Sequence, residues 1–156
     1  MSAALERPAP IVPEPLPVQR MGPSEIEENA DWIAARLQKG NEIIRLSAAT
    51  PQAVRTWLRG CMTSNDMWLV ASGRAVALAK LVREPLKAPR VEEVFVLAKA
   101  PEAASDASGL YVTMVQWAEN LGCARMEVSN FSDVPLKEIE RRVGRLRQRQ
   151  INMVVF

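Results

Sequence analysis

The sequence contains no histidine among its 156 residues. That absence excludes Ser-His-Asp and Cys-His nucleophilic catalysis, histidine-ligated zinc, and any imidazole acid or base. Cysteine is nearly as scarce. Cys61 and Cys123 are too few for a disulfide scaffold or a four-thiolate metal site. Their apolar neighbours read as the surroundings of buried free thiols in a reducing compartment. No stretch approaches the ~18 consecutive apolar residues of a membrane span. Residues 1–23 also lack the basic start and apolar run of a secretory leader. Nor does one sign of charge dominate: 20 basic and 18 acidic side chains leave a net +2, too balanced to make nucleic acid the main partner.

What is present describes an ordinary core. With 48% hydrophobic and 24% charged residues, the chain is long enough to bury one without metals or disulfides. Proline is unevenly spread: six of the eleven prolines fall in residues 1–23, at Pro8, Pro10, Pro13, Pro15, Pro17 and Pro23. Proline removes backbone donors and favours extended conformations, so residues 1–23 are expected to form an arm and residues 24–156 the domain.

Ser24-Glu25-Ile26-Glu27 has the form of a capping box opening a helix. Ile26, Ala30, Ile33, Ala34 and Leu37 then share a face, and Gly40 ends the run. Thr50-Pro51 opens a second helix whose apolar face is Val54, Trp57, Leu58 and Cys61. Residues 67–71 and 75–82 read as a hairpin turning at Ser72-Gly73. Residues 83–90, with Pro85 and Pro89, form a loop. A strand over 91–99 places Val94, Val96 and Ala98 on one face and Glu93, Phe95 and Leu97 on the other.

The next helix carries Leu110, Met114, Trp117, Ala118 and Leu121 on one face and stops at Gly122. A short strand over 125–129, a basic helix over 134–145 and a closing strand over 151–156 complete the order, and a short strand around 17–21 precedes the first helix. This is an α/β (α+β) arrangement, a mixed sheet flanked by helices.

Residues 91–129 resemble the GNAT superfamily of N-acetyltransferases. Val94-Phe95-Val96-Leu97-Ala98-Lys99-Ala100-Pro101-Glu102 is similar to the family's central strand and its Pro-Glu exit. Gln116 through Val128 resembles the helix end and following strand, and Asn130 stands where the family often places an asparagine. The resemblance implies a strand ending at a turn that receives acetyl-coenzyme A. A helix whose N-terminal amides bind the pyrophosphate comes next, and then a strand that splays away.

The sequence departs from the family where its chemistry lies. The family's phosphate turn reads Gln or Arg, two residues, Gly, one residue, then Gly or Ala. Here that turn falls on Glu102-Ala103-Ala104-Ser105-Asp106-Ala107, of which only Ala107 fits. Glu102 and Asp106 would set carboxylates beside a polyanion. Ser105 or Asp106 is better read as a helix cap. The tyrosine that many members carry on the last helix is missing around Gly144, and Tyr111 lies one helix earlier. Glu92 or Glu93 remains the candidate base, because the family often places a glutamate on this strand.

Lys137, Arg141, Arg142, Arg145, Arg147 and Arg149 face only Glu138 and Glu140, a net +4 over residues 137–149. This is the pattern of a solvated helix face or of a contact with phosphates or an acidic partner. It lacks the interleaved aromatics that stack on bases.

These residues lead to two expectations. The first is a non-catalytic protein on a GNAT-like scaffold without a cofactor, contacting other chains through the arm (Pro8, Pro10, Pro13, Pro15, Pro17) and through Arg141, Arg142 and Arg145. It resembles the small acetyltransferase-like components of tailed-phage virions, which implies a place in the cytoplasm or inside a virion. The second is an N-acetyltransferase using acetyl-coenzyme A in an atypical turn.

Overall fold

A computed structural model describes residues 18–40, 45–128 and 132–143. Strand β1 (Gln19–Arg20) precedes helices α1 (Pro23–Lys39) and α2 (Pro51–Met62). Strands β2 (Met67–Ser72), β3 (Ala75–Val82) and β4 (Arg90–Ala98) follow, then α3 (Ala104–Asn120), β5 (Met126–Glu127) and α4 (Leu136–Arg142). The sheet runs β1-β2-β3-β4-β5. Its first three pairings are antiparallel and β4–β5 is parallel. The element order matches expectation through α4, which stops short of Arg145. The closing strand at 151–156, Gly144, Arg145 and the arm's prolines from Pro8 to Pro17 lie outside the described residues.

Local chemistry explains the boundaries. The expected capping box at Ser24 lies two residues too late. Pro23 takes the first helical turn, Gly22 is the N-cap, and Glu25 Oε2 accepts the Gly22 N–H at 3.0 Å. Thr50 caps α2 as expected, its Oγ1 accepting from Ala53 N at 3.2 Å. The β2–β3 turn is Gly73-Arg74, one residue later than expected, with Gly73 at φ 57. Helix α3 ends in a Schellman motif: Gly122, at φ 77, donates to Glu119 O and Cys123 N donates to Ala118 O.

Two apolar layers enclose the sheet. On one side Ile26, Ile33, Leu37, Val54 and Leu58 from α1 and α2 pack on Leu69, Leu78, Phe95 and Leu97. On the other, Leu110, Tyr111, Met114 and Ala118 of α3 and Ile139 of α4 cover Val70, Ala77, Val91 and Val96. Trp68 stacks on Trp117 there, with ring centroids 6.0 Å apart. No described helix is long and apolar enough to cross a membrane.

Candidate functional site: the exit of the central strand

The register between β3 and β4 breaks once. Leu78 pairs with Phe95, but Ala79 pairs with Glu93, so Val94 is a bulge residue. An extra residue reverses the alternation of side chains beyond it. Glu93 therefore joins Val91 and Val96 on the α3 side, while Val94 packs with Phe95 and Leu97 on the α1–α2 side. The expected faces are corrected at these two positions, because unbroken alternation had grouped Glu93 with Phe95.

The bulge delivers Glu93, which is 4% exposed, to Tyr111, which is fully buried. The Tyr111 hydroxyl donates to Glu93 Oε1 and also lies against Ser132 Oγ. Ser132 Oγ in turn accepts from Val134 N at 3.1 Å. Burial, and then the neighbouring Glu93 charge, push the phenol well above its ordinary value of 10.0. Tyr111 thus stays a donor held on the carboxylate, and it ties β4 and α3 to the segment after β5.

Glu92 faces the opposite way. Its carboxylate takes Arg90 Nη2 at 2.9 Å and Lys80 Nζ at 3.4 Å. Burial alone would raise its pKa, but the hydrogen bonds and charges of Arg90 and Lys80 outweigh it and leave the group below the usual carboxylate value. A base stabilised in its charged form is a weaker base. Glu127, a buried residue that sequence reasoning missed, joins the same network through Arg125 at 3.1 Å and Arg90 at 3.5 Å.

The exit of β4 is occupied by the chain itself. Ser132 bridges Val96 in parallel, and Asp133 N donates to Val96 O at 2.9 Å. Asp133 Oδ2 accepts the Ala98 N–H at 3.0 Å. Its Oδ1 accepts from Arg36 Nε at 2.9 Å and from Arg36 Nη2, while Arg36 Nη1 reaches Gly40 O at 2.7 Å. One aspartate thus fastens the end of β4 to the end of α1. Nothing in the sequence marks this pair, whose members stand 97 residues apart.

Beyond Ala98 the expected phosphate turn is wound into helix. Pro101–Ala103 forms a 3₁₀ turn that runs straight into α3, and Ala103 N is spent on Ala100 O. Ala103 and Ala107 are buried, whereas Glu102, Ala104 and Ser105 face solvent. The expected side-chain cap is corrected: the N-cap is Ala103, and Ser105 and Asp106 sit within the first turn. The proline at 101 starts the helical winding early, so these residues fall inside the helix. An acid at Asp106 still suits the positive end of the helix. No group of acids and thiols among the described residues could hold a metal ion.

In the basic helix, Arg141 and Arg142 both turn back onto Glu138, at 2.6 and 3.4 Å. Such spacings on a solvent-facing helix stabilise it weakly.

No family model and no curated protein matches the chain. Solved structures do. An aminoglycoside antibiotic 6'-N-acetyltransferase from Acinetobacter baumannii aligns over 90% of this chain and 95% of its own, with 17% identity and a TM-score of 0.57. Glucosamine-6-phosphate N-acetyltransferase from Arabidopsis thaliana aligns over 90% and 97%, with 8% identity and a TM-score of 0.63. A transcriptional regulator from Bacillus halodurans aligns over 90% and 97%, with 10% identity and a TM-score of 0.61. At these identities the likeness is one of fold, and the fold is the one that residues 91–129 resemble.

Proposed function

We propose that this chain, which has the GNAT fold, is a non-catalytic interaction protein whose cofactor cleft is closed by the backbone and side chain of Asp133. The observation that carries the reading is the double grip of Asp133 on β4, through Val96 O and Ala98 N. A cofactor entering between the splayed strands would need those same polar groups, and here they are already satisfied. Three features support it. The turn at Glu102–Ala107 is helical and acidic. Glu93 is buried and held by Tyr111. The sequence around Gly144 has no tyrosine. On this reading the arm at residues 1–23 anchors the domain to other chains. The resemblance to small virion components of tailed phages makes a particle interior the natural setting. Calorimetry with acetyl-coenzyme A should detect no binding, and a micromolar Kd overturns the reading. Deleting residues 1–17, which precede β1, should leave a folded domain that no longer enters its assembly.

A second reading, an acetyl-coenzyme A-dependent N-acetyltransferase, is favoured by the acetyltransferase names of the structural neighbours and by the glutamate on β4. It requires Asp133 to leave Ala98 and Glu93 to leave Tyr111 before substrate enters. If turnover is detected, Glu93→Gln should abolish it.

A further inference from the structure

The end of β4 opposite its closed exit carries a feature that neither reading uses. Arg90 opens this strand, roughly 26 Å of extended chain from Ala98 at its close. Its guanidinium holds three carboxylates: Glu84 at 3.2 Å, Glu92 at 2.9 Å and Glu127 at 3.5 Å. Two further cations stand outside these acids. Lys87 meets Glu84 at 3.0 Å, and Arg125 meets Glu127 at 3.1 Å. Lys87 is 70% and Arg125 51% exposed, against 38% for Glu84 and 5% for Glu127. An approaching anion therefore meets the cations first. Each of the two has one carboxylate partner among the described residues, so each keeps N–H donors for another.

Lys87, Arg90 and Arg125 line a hollow of about 280 Å³ whose other walls are Ala88, Pro89 and Ala124. Ala124 and Arg125 also line a second hollow of about 200 Å³, where Val115, Ala118 and Met126 supply apolar wall and Glu119 an acid. The two hollows thus adjoin across the turn from α3 to β5 and differ in character. The first offers cations, with no carboxylate in its described lining. The second offers apolar surface and a carboxylate that repels a second negative charge. A ligand that suits both carries its charge at one end and apolar atoms at the other. Nucleic acid does not: successive phosphates would pass Glu119, and neither described lining includes an aromatic ring on which a base could stack.

We propose that the paired hollows dock a segment of a partner protein in which an acidic residue adjoins an apolar one, the carboxylate taken by Lys87 and Arg125 and the apolar side chain seated over Ala118 and Met126. This gives the interaction reading a partner chemistry but rests on none of the contacts at the β4 exit, so the acetyl-coenzyme A titration above and the experiment below fail independently. The isotope-labelled full chain is titrated with the capped tetrapeptide Ser-Glu-Leu-Ser and followed by NMR. Saturable shifts of the Ala88, Ala124 and Met126 amides are expected, with a millimolar or tighter Kd. Lys87→Gln should weaken binding roughly two- to fivefold. Ala124→Trp, which fills the joint between the hollows and removes no ion pair, should abolish the shifts at Ala88 and Met126. The peptide Ser-Glu-Glu-Ser separates a built site from a basic surface. It should bind more weakly here, because Glu119 and the apolar wall reject the added charge, whereas a basic surface holds the doubly charged peptide more tightly. Tighter binding of Ser-Glu-Glu-Ser overturns the proposal. So does a Kd that either substitution leaves unchanged, oligothymidylate that moves the same amides at lower concentration than the peptide, or the lack of any saturable shift.

Discussion

Tyr111 is the only tyrosine in the chain, which makes its ionisation directly readable. Its raised pKa means that the folded state holds the phenolic proton more tightly than the unfolded state. The stability this contributes is complete below pH 10, the ordinary tyrosine value, and is lost as pH rises towards the folded value. Tyrosinate absorbance should therefore be absent at pH 10 to 10.5 in the folded protein and appear together with unfolding. A free titration near pH 10 would show that the bond to Glu93 does not form. Tyr111→Phe removes a donor from a buried carboxylate and should cost about 1–3 kcal/mol in denaturant unfolding. Glu92 and Glu84 carry the opposite sign. Both are lowered, Glu92 by Arg90 and Lys80 against the effect of burial, and Glu84 by its hydrogen bonds from Lys87 and Arg90. Their contribution is present above the ordinary carboxylate value of 4.5 and fades as pH falls below it. Asp133→Ala loses both the Arg36 pair and the acceptor for Ala98 N, and about 1–3 kcal/mol of destabilisation is expected. Asp133→Asn, which keeps an acceptor for Ala98, should cost less.

Two glycines test how the helices are built. Gly60 lies inside α2, and a Cβ there meets nothing within 4 Å. Gly60→Ala should stabilise by about 0.5–1 kcal/mol through helix propensity. A Cβ at Gly122 also meets nothing, but its φ of 77 is left-handed, so Gly122→Ala should cost about 1 kcal/mol at the same lack of contact. Thermal melts of the pair should move in opposite directions. Such elements were legible in the sequence because their signals are local: Thr50-Pro51 opens α2, and Gly40 and Gly122 close α1 and α3. The β4 bulge was not. Residues 91–98 alternate plausibly in either phase, and only pairing with β3 shows that Val94 is the extra residue. The Glu102–Ala107 turn was legible in composition but not in shape, since Pro101 starts the helical winding before the expected cap. The clasp of Arg36 on Asp133 had no sequence signal, because both are ordinary surface types brought together only by the sheet.

Taken together, these parts describe a GNAT scaffold whose β4 exit is a finished structural joint. Arg36 from α1, Ala98 from β4, Tyr111 from α3 and Ser132–Asp133 after β5 meet there. The absence of histidine did not exclude acyl transfer, for which a glutamate and backbone amides can suffice. What weighs against it is that the glutamate and the amide are both already committed. On the proposed reading, the arm that precedes β1 meets other chains. The closed exit is tested most directly by titrating acetyl-coenzyme A into isotope-labelled protein and following the backbone amides by NMR. The account predicts that the Ala98 and Asp133 amides stay in place up to millimolar ligand. A saturable shift of the Ala98 amide with a micromolar midpoint would contradict it.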